Sequence, residues 1–248
     1  MSVLFMLPKS IVSNSNKTVV SKEAVVNNSI SEADIKKIII ERNNFYQHTD
    51  IKKRYIFANS LAKIFIKSGF IDSIDVYAGE IALSQTGNYK WILAGDLFYN
   101  LLDETENELY IQKINEYILK YYSEYLKNDT ANAEIKAKIA MSYTTSSTPM
   151  QAVMILRNVL NNNPNQATAI YNLGKLSLKS GQYDKAIQRF KDVIALNDTN
   201  WYAHYYLGVS YLLTSNKNEA LSEFDKVINY SNNKDLISKT KKSINNIN

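Results

Sequence analysis

The fold class predicted by this sequence is all-α: a solenoid of about five stacked helix pairs, with one capping helix at each end. Three observations predict it. The first is a repeat. Leu173-Gly174 returns as Leu207-Gly208, Ala186 as Ala220, Phe190 as Phe224 and Val193 as Val227, each 34 residues later. A fixed period in the range of 20–50 residues marks an array of small supersecondary units. The second is composition. Seven Gly and three Pro in 248 residues favour long helices over a turn-rich β fold. The third is the chemistry of the recurring positions. Small residues (Gly174, Gly208, Ala186, Ala220) let the helices of a pair approach closely, and large ones (Tyr143, Phe190, Tyr211, Phe224) fill the gap to the next pair. Neither helix buries its face alone, so such an array is stable only when stacked.

The chain opens with a short apolar run, Met1 to Leu7, followed by Pro8. It is far shorter than the roughly 20 residues that span a bilayer, and it lacks the basic flank and small-residue cleavage site of a signal peptide. Two readings fit: an apolar tip, which the length favours, or the end of a membrane anchor whose first half lies outside this sequence. The Ser-, Asn- and Lys-rich stretch up to residue 30 reads as a disordered polar tail. Ser31-Glu32-Ala33-Asp34 then forms an S-x-x-D capping box. Ile35, Ile38, Ile39 and the stretch to Phe45 follow helical spacing, so residues 31–54 are predicted as an N-terminal capping helix and turn.

Residues 55–132 fit two divergent repeats. The first carries Leu61-Ala62 at the Leu-Gly position, Phe65 at the aromatic position and Gly69 in the turn between helices. Gly69 matches Gly181 in role, a point where a left-handed backbone needs no Cβ. Its second helix departs from the pattern, with Ile74 at the small site and Ala78 at the Phe site. The second repeat opens at Asn88 with Trp91, Gly95 and Phe98. It runs about 45 residues, an insertion of roughly three helical turns. Its long second helix, from about Glu108 to Lys127, carries a stripe of Tyr110, Ile114, Tyr117, Ile118, Tyr121, Tyr122 and Tyr125. Residues 133–234 fit three regular repeats beginning at Ala133, Ala167 and Trp201. Residues 235–248 form the C-terminal capping helix, with Leu236, Thr240, Ile244 and Ile247 facing inward and Lys239, Lys241 and Lys242 facing out.

With its period of 34, Leu-Gly followed by Ala-x3-Phe, the stretch 133–234 resembles the tetratricopeptide repeat (TPR) family, and residues 55–132 resemble divergent members. The resemblance covers about three quarters of the chain. It implies a right-handed superhelix, a concave groove lined by the first helix of each repeat, binding of a protein or peptide segment in that groove, and no enzymatic activity or cofactor. The apolar stub, polar tether and array are also similar to bacterial membrane-anchored TPR proteins.

Helix geometry gives the groove candidates. Residues about 100° around each first helix from the packed signature positions would face the concavity. These are Asn59, Lys63 and Lys67, then Asp96, Tyr99 and Asn100, then Lys138 and Met141, then Tyr171, Asn172 and Lys175, and lastly Tyr202, Tyr205 and Tyr206. Tyrosine offers contact area at low entropy cost and lysine attracts carboxylates. The alternative for Tyr205 and Tyr206 is packing between repeats. Some family members clamp the C-terminal carboxylate of heat-shock chaperones with Lys and Asn at fixed sites. Asn172 matches one of these sites, but Ala137 stands at the preceding lysine site and Lys175 at the neighbouring asparagine site, so the full clamp is absent.

The sequence offers little chemistry. It has no Cys, which removes disulfides, thiolate nucleophiles and Cys-bound metals. It contains no zinc-protease, phosphate-loop, dinucleotide or serine-hydrolase motif. Of its two histidines, His48 falls in a turn, and His204 reads as a packing residue because a single His without partners rarely makes a site. The acidic run Asp103 to Glu108 lacks the Gly and spacing of a calcium loop and reads as a solvated loop feeding acidic residues to the next helix. The net charge of +5 is scattered, unlike the runs of nucleic-acid binders, so no nucleic-acid partner is expected. Two further partners are carried as expectations: a membrane, through the N-terminal stub, and a second copy of the chain, through the aromatic stripe. Cytoplasmic placement and a membrane-held array in the periplasm both fit the sequence.

Overall fold

The computed structural model describes residues 30–145 and 150–246. Among these residues there are twelve α-helices, two short 3-10 segments and no strand. The chain is an all-α helical-repeat solenoid that divides into two compact units, one ending at Ala131 and the other beginning at Asn132. The apolar stub, the polar tail and Ile247 lie outside the described residues.

In the first unit, α1 (Glu32–Gln47) starts where the capping box places it, with Ser31 Oγ accepting from the Asp34 amide at 3.1 Å. Its apolar stripe buries Ile38 and Phe45. α2 (Ile51–Lys67) begins one turn before the expected Tyr55, because Asp50 caps it, accepting from the Lys53 amide at 2.8 Å. α3 (Ile71–Ala82) follows the turn at Gly69, whose φ is +77°. α4 (Tyr89–Tyr99) continues into a 3-10 turn (Asn100–Asp103), and α5 (Glu108–Leu126) starts at Asn107, which accepts from the Leu109 and Tyr110 amides.

The long second repeat packs by the same rule as the regular ones, with a ring against a glycine. Tyr122 closes on Gly95 so tightly that a Cβ there would strike the ring. The Tyr122–Gly95 separation exceeds the Phe190–Gly174 and Phe224–Gly208 separations by 11 residues, which is the length of the insertion. The insertion is thus absorbed before Tyr122, in the 3-10 turn, the acidic loop and the added turns at the start of α5. Three tyrosine-to-carboxylate bonds hold α5 to its neighbours. Tyr117 donates to Asp72 at 2.6 Å, Tyr121 to Asp75 at 2.5 Å, and Tyr122 to Asp96. The stripe is therefore internal packing and not the exposed self-association face expected from sequence. Ile114, Ile118, Tyr121, Tyr122 and Tyr125 are buried, and Tyr110 and Tyr117 are half-buried.

The second unit holds three helix pairs and a cap: α6 (Ala133–Ala140) with α7 (Met150–Asn162), α8 (Ala167–Lys179) with α9 (Tyr183–Leu196), α10 (Trp201–Leu213) with α11 (Lys217–Tyr230), and α12 (Lys234–Asn245). Its core runs continuously through Ala140, Leu156 and Leu173, then Ala186, Phe190 and Leu207, then Ala220, Phe224 and Leu236. α6 is shorter than its counterparts and ends in a 3-10 segment (Met141–Thr145). The hydroxyls of Ser142 and Thr144 bond the Ile139 and Met141 carbonyls at 2.7 Å each, competing with the helical amide ladder.

Three turns share one backbone device. The amides of Phe70, Gln182 and Asn216 reach back five residues to the carbonyls of Phe65, Ser177 and Tyr211, and the residue between has positive φ. That residue is Gly69 or Gly181 in two cases and Ser215, at +63°, in the third. These are Schellman closures, which require a left-handed residue after the helix.

Candidate functional site

The first helices of the second unit, α8 and α10, bring four of the predicted tyrosines and one predicted lysine together with α12. The Lys175 ammonium stands 5.8 Å from the Tyr171 ring centroid and 5.6 Å from that of Tyr206. Tyr206 meets Tyr171 edge-on at 6.1 Å and Tyr205 edge-on at 5.2 Å, and stacks on Phe190 at 5.6 Å. Lys239 of α12 lies 5.3 Å from the Tyr205 ring, and Tyr202 accepts a hydrogen bond from Asn233 at 3.1 Å. Tyr171 and Tyr205 are buried, and Tyr202, Tyr206, Lys175 and Lys239 are half-buried. Ammonium groups seated over aromatic faces place positive charge beside apolar area. Sequence patterning points Lys239 outward; in the structure it lies half-buried over Tyr205, because α12 packs its polar flank across the end of α10.

The other predicted residues are placed differently. Asn172 is 1% exposed and its amide donates to the Ala137 carbonyl at 2.9 Å, tying α8 to α6. Met141 is buried and Lys138 pairs with Glu134 at 3.0 Å along its own helix. In the first unit, Asp96 accepts from Tyr122, Asn100 donates to Tyr55 at 2.9 Å, and Lys63 lies 3.7 Å from Glu104. Asn59 and Tyr99 are half-buried, and Lys67 is exposed. Most first-unit candidates are thus engaged in the unit's own packing. Their side chains reach neighbouring elements that a single-helix projection leaves out.

Electrostatics separate the two units. Burial pushes the phenols of Tyr55, Tyr117, Tyr121 and Tyr122 well above their ordinary value, and the adjoining carboxylates add to the shift. In the second unit His204, 5% exposed, bonds Glu223 at 2.5 Å and the Asp198 carbonyl at 3.1 Å. Both ring nitrogens are used, so His204 packs the helix pair. Burial pushes the Glu223 carboxyl up, but hydrogen bonds from His204 and Lys226 outweigh it and hold it below the usual range. Among the described residues, no group of three acidic or histidine side chains could hold a metal ion.

Residues 155–188 and 202–231 match family models described as tetratricopeptide repeat, and residues 175–214 match one described as TPR repeat. Residues 155–231 carry tetratricopeptide repeats. The matched stretch falls within α7 to α11, where the TPR period is regular. The TPR fold extends further in structure. A thermophilic TPR protein of Thermus thermophilus is similar with a TM-score of 0.55 and 15% identity, over 77% of this chain and 98% of that one. Also similar are YrrB, described as a TPR protein with an unusual peptide-binding site (TM-score 0.42, 17% identity, 76% and 92% covered), and MamA from Desulfovibrio magneticus RS-1 (TM-score 0.40, 16% identity, 81% and 96% covered). No curated protein matches the sequence.

Two features escape a reading of the sequence. The Tyr–Asp bonds of α5 join residues 26 to 46 positions apart, beyond any helical or repeat spacing. A basic cleft between α7, α8 and α9 gathers side chains from both helices of one repeat and the second helix of the repeat before it.

Proposed function

We propose that this chain is a non-enzymatic scaffold that binds an extended protein segment across the first-helix face of its second unit. The observation that carries this reading is the seating of Lys175 over Tyr171 and Tyr206, continued by Lys239 over Tyr205. Fixed cations beside aromatic area suit a segment that alternates carboxylates with apolar side chains. Aromatic anchors supply contact energy, and the lysines select charge. The contact set is Tyr171, Lys175, Tyr202, Tyr205, Tyr206 and Lys239. Asn172, Met141 and Lys138 support the helices beneath it. The first-unit candidates (Asn59, Lys63, Lys67, Asp96, Tyr99 and Asn100) lie outside this contact set, most of them engaged in that unit's own packing.

The membrane reading rests on residues outside the described ones; among the described residues no helix is long and apolar enough to cross a membrane.

A displayed random-peptide library selected on the full chain tests the proposal. Enriched peptides should share Asp or Glu next to an aromatic or aliphatic residue, and should lose at least about thirtyfold in affinity for Lys175→Glu/Lys239→Glu, two charge reversals each weighing about 1 kcal/mol or more. Peptides that bind the double variant as well as the wild type would remove this face from consideration.

A further inference from the structure

Between α7, α8 and α9 lies a cleft of about 380 Å³, within the second unit and away from the tyrosine–lysine face. Four cationic side chains line it: Arg157 from α7, Lys179 from the end of α8, and Lys185 and Arg189 from α9. Among the described residues no aspartate or glutamate lines it, and none of the four makes an ion pair. Val153, Leu173 and Leu176 form an apolar wall.

Arg189 is aimed and held. Its guanidinium donates to the Leu173 carbonyl at 3.1 Å and to the hydroxyl of buried Ser177. A guanidinium has five donors in a rigid fork, and both of these bonds come from one of its nitrogens, so the fork is fixed at the cleft wall with donors to spare. Burial, then the charge of Arg157, pushes Arg189 below its ordinary value. The nearby Asp192 carboxylate accepts from Gln188 at 2.8 Å. Asp192 offsets part of the repulsion on Arg189 from outside the cleft; four like charges on one concavity with no carboxylate lining it are still unfavourable, and an anion in the cleft would turn that repulsion into attraction.

We propose that this cleft is a binding site for an anionic head group, carboxylate or phosphate, carried on a short apolar body. The head sits between Arg157, Lys185 and Arg189, and the body lies along Val153 and Leu176. The head-group chemistry has two sources: an acidic side chain of a protein segment beside an apolar one, or a free small anion.

The test uses the full chain, labelled for NMR, titrated separately with inorganic phosphate, hexanoate and the blocked tripeptide acetyl-Leu-Glu-Glu-amide. The substitutions are Arg157→Ala and Lys185→Ala, both at exposed positions, so the fold is retained and circular dichroism can verify it. The expected result is saturable binding of at least one probe, with shifts confined to the amides of residues 153–157 and 176–189 and affinity reduced about fivefold by each substitution. Tightest binding by the tripeptide identifies a protein segment as the source; tightest binding by phosphate or hexanoate identifies a free anion. The proposal is overturned if none of the three probes saturates, or if binding survives both substitutions unchanged. Neither result bears on the tyrosine–lysine face, which these substitutions leave intact.

Discussion

Gly208 sits directly under the ring of Phe224: a Cβ built on the glycine would lie 2.6 Å from one ring carbon and 2.8 Å from another. Gly174 and Phe190 repeat the relationship 34 residues earlier, at 2.8 Å. The ring is wholly buried, so it has no space into which to retreat. Two effects compete in Gly208→Ala. Alanine favours a helix interior by about 1 kcal/mol, whereas overpacking a core costs about 1–3 kcal/mol. Since the clash is with a buried ring, the second effect wins and the variant should lose up to about 2 kcal/mol. Urea unfolding checks this, and adding Phe224→Leu to Gly208→Ala should recover part of the loss.

Gly181 and Ser215 occupy the same left-handed position of successive turns, at φ +73° and +63°. A side chain costs about 1–2 kcal/mol in that region. Gly181→Ala should therefore destabilise by about 1 kcal/mol. Ser215→Gly should stabilise by about 0.5 kcal/mol, the relief of strain being partly offset by greater unfolded-chain entropy. Thermal melts of the two variants should move in opposite directions.

The tyrosines of the first unit make its stability sensitive to alkali. Their folded-state values are raised above the ordinary 10.0, with Tyr77 pushed up to about 12 by burial. A raised value means the folded state keeps a proton that the unfolded state gives up. The contribution is thus fully present below about pH 10 and is lost as pH rises from there towards the folded-state values. Stability measured across about pH 9 to 12 should fall. Tyr122→Phe should flatten that fall by up to about 1.4 kcal/mol per pH unit, one proton's share, and cost about 1–3 kcal/mol at neutral pH by depriving Asp96 of a donor.

Glu223 gives the opposite dependence in the second unit. Its folded-state value is depressed, so the stability from its bonds to His204 and Lys226 is present above about pH 4.5 and is lost as pH falls through the folded value. Glu223→Gln should destabilise by about 1 kcal/mol near neutral pH and remove part of the acid-side decline. Urea midpoints from about pH 3 to 7 for the two proteins provide the check.

What could be read in the sequence follows from how local each feature is. The capping box at Ser31, the turn glycines and the 34-residue alternation of small and large residues are encoded within one helix or one repeat, and the structure carries them all. The burial of Asn172 and the α5 stripe, and the seating of Lys239, depend on a neighbouring helix, which a helical projection does not contain. The stripe looks like an exposed patch in sequence because sequence shows that a face is apolar but not that α3 and α4 cover it. The basic cleft draws Arg157 and Arg189 from second helices of different repeats and Lys179 from a helix end, so no single spacing announces it. Of the predicted face, the tyrosines and Lys175 of α8 and α10 come together because both helices present the same register, 34 residues apart.

The most direct test of the binding account places a photo-activatable benzoylphenylalanine at either of two positions in the full chain. One replaces half-buried Tyr202 on α10, within the proposed face; the other replaces exposed Asn218 on α11, on the second helix of the same pair. The cross-linked partner peptides, from a bound selected peptide or a natural partner, are then sequenced. The account predicts that the Tyr202 position cross-links an acidic, apolar segment and the Asn218 position does not. Cross-linking from Asn218 with none from Tyr202 would contradict it and assign binding to the second-helix face.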